Sequence, residues 1–305
     1  MHYDPSQYVS AQDNLSRLLA SRGQTGVGVH DGLSTLLASK YPFDFLWVSS
    51  FCSSAAMGLP DAGIIGAEEM LAMVRLVRRT SLLPIVVDLD AGYGDPLKIY
   101  NVVKEFVRAG ASALCIEDNP TSKRCSLYDG YERTLVSPDE HCARVRAAKA
   151  AISSIAGSCI VVARTEAFLA CLGVDEALQR VHAYVDAGAD AVFAQSVDAT
   201  GEEILQFCKG WNRRTPIFLA PTRISHIPKE ELFAAGASHV IHANQGIRAA
   251  HAAMDRVFAS LAVLPSSGGV ENEISTVKKV ASDVGADQIE RLERLFECQM
   301  AADAS

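Results

Sequence analysis

The run VVDLDAGYGDP places Asp88 and Asp90 two residues apart at the end of an apolar, β-branched stretch. In an extended segment that spacing points both side chains the same way. Two carboxylates held together are unfavourable unless a proton or a cation neutralises them. Glu117, closing the next apolar run (ALCIED), adds a third acid. Three hard oxygen donors suit Mg2+, which keeps several waters and often meets only one or two carboxylates directly. The AGYG that follows is a flexible turn able to bring backbone close to a ligand. Helix capping is the plainer use for such acids, and Asp95 before PLKIY has the position of an N-cap.

Cys125 stands beside Lys123, Arg124 and Ser126 in the polar stretch NPTSKRCS. Cations close in space lower a thiol pKa, and a thiol titrating near neutrality can both give and take protons. The competing reading is an inert loop cysteine whose neighbours face solvent. Arg164 closes the run CIVVAR and offers a planar fork for a substrate carboxylate. A structural ion pair is its other use, with Glu166 as the nearby acid. The chain's eight cysteines include no CxxC pair, and several lie in apolar runs. Free thiols in a cytoplasmic protein follow, without a zinc site.

These side chains need a scaffold that gathers strand ends. Short apolar runs recur at 26–29, 43–50, 83–90, 111–118, 159–164, 190–196, 216–221 and 238–244. Runs with so few polar breaks are those of parallel strands buried on both faces. Between them, residues 95–111 carry Ile99, Val102, Val103, Phe106 and Val107 at helical spacing and stop at Gly110. Residues 174–190 repeat the scheme and stop at Gly188. The triplet AGA recurs at 109–111, 187–189 and 235–237, marking helix-to-strand turns of one type. The alternation predicts an α/β protein, a (β/α)8 barrel of TIM type over residues 1–263. After the break LPSSGGVENE, residues 264–305 form an additional C-terminal helical segment, open to exchange between subunits. A doubly wound open sheet is the runner-up, but no GxGxxG follows the first strand.

A barrel collects its active-site residues at the C-terminal ends of its strands. Those ends carry His30 and Asp31, Ser49 and Ser50, Asp88 and Asp90, Glu117 and Asp118, Arg164 and Glu166, Gln195 and Ser196, Thr222, and His242 and Asn244. His242 and His30 each fit either substrate contact or a structural role. Around His30, HDGLS has the form of a helix start, with Asp31 and Ser34 available for capping. A net charge of −8 without a long basic block argues against a nucleic-acid partner. No apolar run has the length of a membrane span. The N-terminus lacks the basic-then-apolar form of a signal peptide, so a cytoplasmic location is expected.

Together, VVDLDAGYGDP, IED with its Lys-containing loop, VVARTEAF, GVDEALQRVHAYVDAGADAVF, APTR and VIHANQGIRAA resemble the phosphoenolpyruvate mutase/isocitrate lyase superfamily over roughly residues 25–260. WVSS and GLPD fit its first loops. The resemblance implies a Mg2+-dependent barrel, commonly a tetramer with a terminal helix swapped between paired subunits. It also implies small 2-oxo, 2-hydroxy or enol acids as substrates. The shared chemistry forms or discharges a metal-bound pyruvate enolate as a carbon–carbon or carbon–phosphorus bond at C3 is made or broken. By position, Asp88 resembles the inner metal ligand, and Asp90 and Glu117 resemble acids that reach the metal largely through water. Ser49, with the backbone around Ser50 and Phe51, resembles the carboxylate and oxyanion cradle. Trp47 resembles the aromatic wall, Asp61 the acid of the GLPD-like loop, and Arg164 the arginine holding substrate oxygens. Lys123 lies in the segment matching the gating loop that closes over substrate. Cys125 and Ser126 in that loop, and Gln195, Ser196 and His242 at later strand ends, complete the candidate set.

Two departures bear on the reaction. The mutases carry EDK and, five residues later, NS; here the frame reads EDNPTSKRCS. Asn119 replaces the lysine, and Cys125 replaces the asparagine before Ser126. Gln195-Ser196 stands where the mutases have His-Ser. The replaced asparagine and histidine steer the transferring phosphoryl group in those enzymes. The carbon–carbon lyases carry KRCGH or KKCGH, with the cysteine as general acid, and tend to have glutamate where Gln195 stands. KRCS keeps Lys, Arg and Cys but lacks Gly-His.

The expected function is a Mg2+-dependent, mutase-like enzyme of phosphonate metabolism acting on phosphoenolpyruvate, phosphonopyruvate or a close 2-oxo acid analogue. The alternative is a C–C or C–P lyase or hydrolase that releases a 2-oxo acid with Cys125 as general acid. A non-catalytic small-acid-binding scaffold is the third reading, opposed by Asp88, Asp90, Glu117, Lys123 and Arg164. A homodimer or homotetramer is expected, without nucleic-acid or membrane partners.

Overall fold

In a computed structural model of the chain, the described residues are 14, 18–19, 23–122, 124–125, 128, 132–212, 215–289 and 291–296. They fall into two compact units, one within Val9–Ile247 and one within Arg248–Ser305.

All eight apolar runs form strands in the first unit: β1 (Gln24–Val29), β2 (Phe45–Val48), β3 (Ile85–Asp88), β4 (Ala113–Glu117), β5 (Ile160–Thr165), β6 (Ala191–Ala194), β7 (Ile217–Leu219) and β8 (His239–His242). Each pairs in parallel with the next, and β8 returns to β1, so the sheet closes into a barrel. The open sheet is thereby excluded. Side chains alternate between the two faces of each strand. One set, including Phe45, Trp47, Val86, Cys115, Val162, Phe193 and Ile241, clusters with other strand residues and Leu18 inside the barrel. The other set, including Leu46, Val87, Ile116, Val161 and Val192, packs against the helices. Gly28 is required by close approach: a Cβ there would lie 1.9 Å from the Ala243 carbonyl oxygen.

The helices are α1 (Gly32–Ala38), α2 (Ser50–Ala56), α3 (Ala67–Thr80), α4 (Pro96–Arg108), α5 (Pro138–Ser154), α6 (Gly173–Asp186), α7 (Glu202–Gly210), α8 (Lys229–Ala235), α9 (Gln245–Leu261) and α10 (Val277–Asp283). Asp95 caps α4 by accepting the Lys98 N–H at 2.9 Å, with Pro96 in the first turn. The three AGA triplets share one geometry. Gly110, Gly188 and Gly236 have φ of +98°, +110° and +128°. In each, the following alanine N–H reaches back to a carbonyl of the last helical turn (Phe106, Tyr184 and Leu232). This is the left-handed glycine stop that turns the chain into the next strand.

In the second unit, Arg256 Nε lies 3.2 Å from Glu273, and Phe258, Val263 and Val277 are exposed. Among the described residues, no helix is long and apolar enough to cross a membrane.

Candidate active site

Continuing each inward-facing series past the barrel's apolar layer gives the site. Trp47 is followed on that face by Ser49, Val86 by Asp88, Cys115 by Glu117, Val162 by Arg164 and Phe193 by Gln195. The strand register sets Glu117 beside Arg164. These ends open on a cavity at the barrel mouth. Of the sequence candidates, Trp47, Ser49, Ser50, Phe51, Asp61, Asp88, Cys125, Arg164 and Gln195 line it. Phe193, Ala220, Thr222, Ala243 and Asn244 complete the wall. At its rim Asn244 Nδ2 donates to Thr222 Oγ1 at 3.5 Å.

Arg164 is the electrostatic centre. Its Nε and Nη2 donate to Glu166 Oε1 at 2.6 and 2.5 Å, and Nη2 also donates to Gln195 Oε1 at 3.2 Å. Glu117 Oε2 lies 3.5 Å from Nε, and Asp88 Oδ2 lies 3.9 Å from Nη1. The guanidinium sits 4.9 Å above the Phe193 ring, which stacks on Trp47. Burial works against its charge, but Glu166, Glu117 and Asp88 more than offset burial and hold its pKa above the ordinary guanidinium value. Burial pushes the Glu166 carboxyl up to about 7 despite Arg164 beside it. The two uses foreseen for Arg164 are therefore not exclusive: it pairs with Glu166 and it lines the cavity.

Asp88 is buried, accepts from Ser50 Oγ at 3.0 Å, and faces the cavity together with Asp61. Asp90 departs from the sequence reading. β3 ends at Asp88, and Asp90 takes a left-handed φ of +52°, so the extended two-residue spacing is broken. Asp90 lines a neighbouring cavity with Tyr93, Lys98 and Thr121. Glu117 is not part of the cavity wall; its Oε1 accepts from Asn119 Nδ2 at 2.9 Å. Among the described residues, no three His, Cys, Asp or Glu side chains converge as direct metal ligands. On the Asp88 side of the cavity the possible ligands are the Asp61 and Asp88 carboxylates and the Ser49 and Ser50 hydroxyls; Cys125, Gln195, Thr222 and Asn244 also line the wall. The oxygen set around Asp88 fits a hard cation that meets one carboxylate and completes its shell with water.

Ser49 caps α2, accepting the Cys52 N–H at 3.3 Å. The first-turn residues Ser50 and Phe51 lie on the cavity wall, where helix N-terminal amides favour an anion. Opposite chemistry comes from Cys125, 3% exposed. Its N–H donates to the Asp61 carbonyl at 3.0 Å, and its own carbonyl accepts from Arg133 Nη2 at 2.6 Å. Arg124 is exposed. Lys123 and Ser126 lie outside the described residues. The described cysteines are all free, and Cys125 is the one in the cavity wall. Burial pushes the Cys52 and Cys208 thiols up to about 12 and Cys115 well above its ordinary value, which keeps them protonated.

Ser196 and His242 are not brought to the cavity. Both follow an inward-facing neighbour, Gln195 and Ile241, and so fall on the outer face. Ser196 Oγ donates to Glu203 and accepts the Asp198 N–H, shaping the turn before α7. His242 is half-buried, and burial together with Lys229 lowers its pKa. His30 is buried away from the cavity wall, and Asp31 and Ser34 form the foreseen capping box on α1.

Support behind the wall was less visible in the sequence. Asp118 follows Glu117 and faces outward. Its Oδ1 accepts the Glu166 N–H at 2.8 Å. Its Oδ2 accepts from Thr165 (2.9 Å), Tyr184 (2.7 Å) and Arg180 (3.3 Å). Arg144 from α5 donates to the Asn119 carbonyl at 2.7 Å, fixing the end of β4. Strand parity could have found Phe193 and Ala220; nothing in the sequence marked Arg133 or Arg144.

Residues 17–262 match the protein family described as phosphoenolpyruvate phosphomutase. The chain is similar to the phosphoenolpyruvate phosphomutase of Streptomyces hygroscopicus, 36% identical over 94% of this chain and 91% of that protein. It is similar to the phosphonopyruvate hydrolase of Variovorax sp. (strain Pal2), 33% identical over 89% of this chain and 93% of that protein. The 2-methylisocitrate lyase of Bacillus subtilis (strain 168) is 32% identical over 88% of this chain and 86% of that protein. A crystal structure of phosphonopyruvate hydrolase in complex with oxalate and Mg2+ is 31% identical, with a TM-score of 0.85, covering 94% of this chain and 99% of that one.

Proposed function

This chain belongs to the phosphoenolpyruvate phosphomutase family and is an enzyme of the wider superfamily acting on phosphonate or 2-oxo acid substrates, and from that premise we propose that it cleaves a bond at C3 of phosphonopyruvate or a close 2-oxo acid analogue, with Cys125 protonating the pyruvate enolate. The observation that carries the proposal is the position of Cys125, in the same cavity wall as Asp88 and Arg164. By the resemblance, a mutase has asparagine there and histidine where Gln195 lines the wall. Both groups that would steer a migrating phosphoryl are thus replaced, and a proton donor stands in the place of one.

Asp88, with Asp61 beside it in the cavity wall, would hold Mg2+, which would supply positive charge beside the substrate's 2-oxo and carboxylate groups. Ser50 and Phe51 offer first-turn amides to the carboxylate. Arg164, fixed by Glu166 and seated 4.9 Å above the Phe193 ring, adds a preoriented charge against the negative charge that develops as the C3 bond breaks. The electron pair of that bond becomes the enolate, while in phosphonopyruvate water attacks phosphorus and carries the phosphoryl group away as inorganic phosphate. The thiol proton of Cys125 then passes to C3, leaving a thiolate that solvent reprotonates. Phosphomutase activity is the second reading, favoured by the 36% identity to the Streptomyces hygroscopicus enzyme. A homodimer or homotetramer is the assembly proposed, on the exposed Phe258, Val263 and Val277 of the second unit.

The test is incubation with phosphonopyruvate and Mg2+, followed by phosphorus NMR. Inorganic phosphate supports cleavage, and phosphoenolpyruvate supports the mutase. If phosphonopyruvate is unchanged, release of a 2-oxo acid from a panel of 2-alkylmalates and methylisocitrate supports the carbon–carbon lyase form, in which the 2-hydroxyl loses its proton as it becomes the 2-oxo group and Cys125 protonates the enolate of the other, carboxylate-bearing fragment. Silence across the whole panel refutes the proposal.

A further inference from the structure

Cys125 belongs to no helix or strand, so side-chain and loop contacts must place it. Arg133, eight residues on, has a side chain only 5% exposed and makes an unusual set of bonds for a loop arginine. Its Nη2 donates to the Cys125 carbonyl at 2.6 Å, and its Nη1 to the Arg124 carbonyl at 3.1 Å. One guanidinium thus captures two successive carbonyls, a use of the rigid fork that an ammonium cannot reproduce. On the other side of the residue, the Cys125 N–H is held by the Asp61 carbonyl at 3.0 Å. Both peptide groups of Cys125 are therefore fixed, one by a residue of the cavity wall and one by Arg133.

Arg133 is itself tied to the site's centre. Its Nη1 lies 4.0 Å from Glu166 Oε2, and Glu166 is fully buried. The other oxygen of that carboxylate takes Nε and Nη2 of Arg164. A single carboxylate thus references the positions of both arginines, one against the substrate cavity and one against the segment that carries the thiol. We propose that Arg133 is a positioning residue: by clamping the Arg124 and Cys125 carbonyls against the buried Glu166, it holds the Cys125 thiol in the cavity wall. Its consequence for turnover rests on the role proposed above for Cys125; the placement of the thiol does not.

The experiment measures the alkylation rate of Cys125 by iodoacetamide, peptide by peptide, in the wild type, Arg133→Gln and Arg133→Lys. Cys115 and Cys159, buried at strand positions, serve as internal monitors of global opening. Losing the charge-assisted bonds of the fork should raise Cys125 labelling in Arg133→Gln by about ten- to a hundredfold, with Cys115 and Cys159 still protected. Arg133→Lys, which keeps the charge but not the fork, should fall between. In an active preparation, kcat should drop in the same order while KM moves less, since the substrate-holding Arg164 is retained. Unchanged Cys125 labelling in both variants overturns the proposal. So does a parallel rise at Cys115 and Cys159 in both, which would make Arg133 a general stabiliser. If Cys125→Ser retains turnover while Arg133→Gln still exposes Cys125, the clamp stands and the proton-donor role falls.

Discussion

Asp118→Asn tests whether the support behind the cavity is as tightly built as its geometry indicates. Four donors converge on the fully buried carboxylate: the Glu166 N–H, the Thr165 and Tyr184 hydroxyls and the Arg180 guanidinium. Asparagine keeps the shape but offers one acceptor oxygen, and its NH2 must face at least one of these donors. The hydroxyls of Thr165 and Tyr184 can rotate away; the Glu166 N–H and Arg180 cannot lose their protons. Two hydrogen bonds are lost at about 0.5–1.5 kcal/mol net each, and a buried donor left facing donors adds about 1–3 kcal/mol. Arg180, its side chain 8% exposed, also loses its buried counter-charge, for which breaking a pair costs about 3–5 kcal/mol. These contributions overlap, so about 3–5 kcal/mol in all is expected. With a urea m-value of roughly 3 kcal/mol/M, the midpoint should fall by about 1–1.7 M. Tyr184→Phe removes one donor and leaves three, and should cost only about 1 kcal/mol. Urea unfolding at fixed pH, with the m-value checked, measures both. The reasoning fails if Asp118→Asn lies within about 1 kcal/mol of wild type, or if Tyr184→Phe costs as much.

Cys125→Ser should lower turnover by more than about two orders of magnitude, because a hydroxyl is a far weaker acid than a thiol; near-wild-type kcat would remove the proton-donor role. Burial pushes His141, beside Arg144 and Arg180, and His239, stacked on Phe218, down to about 3. Both folded values lie below the unfolded one, so the unfolded chain takes up protons first, and stability present above about pH 6.5 is lost as pH falls towards 3. Between pH 6 and 5 the pair should remove about 2 kcal/mol, followed as the urea midpoint, and His239→Phe should halve that slope; an unchanged slope contradicts the assignment. Gly28→Ala must push the new Cβ away from an Ala243 oxygen 1.9 Å distant, opening the β1–β8 seam at a cost of about 3 kcal/mol or more in urea unfolding. A cost under about 1 kcal/mol would show that the seam yields freely.

The barrel was legible because its signals repeat. Eight apolar runs and three AGA stops encode one supersecondary unit several times over, and a misplaced boundary in one copy does not disturb the others. The cavity wall was legible for a related reason: polar residues directly after buried strands have few places to go but the barrel mouth. What failed was the assumption that the strand pattern persists past its end. Asp90 lies beyond β3 in a left-handed turn, so its side chain does not follow Asp88. Ser196 and His242 were gathered with Gln195 and Asn244 by adjacency, although neighbours in a strand face opposite ways. Arg133 was invisible for a different reason. Its partners are backbone carbonyls of a loop, and backbone carbonyls carry no sequence signature.

The pair Glu117 and Asp118 shows how one alternation divides the labour of the site. Glu117 points inward, lies 3.5 Å from Arg164, and adds negative charge beside the cavity. Asp118 points its side chain outward, donates its N–H to the Arg164 carbonyl at 3.1 Å and fixes the backbone of Glu166. Glu166 in turn holds Arg164 with one oxygen and faces Arg133 with the other. The chemistry-bearing groups, Arg164 and Cys125, therefore sit on a common support whose foundation is on the helix side of the sheet, anchored by Arg180 and Tyr184 of α6. A substitution at Asp118 should thus disturb both the substrate-holding arginine and the thiol, although it lies behind the wall that contains them. Loss of Asp61 would act from the opposite side, but only weakly on the thiol's placement, because its contact with Cys125 runs through a backbone carbonyl that any residue supplies.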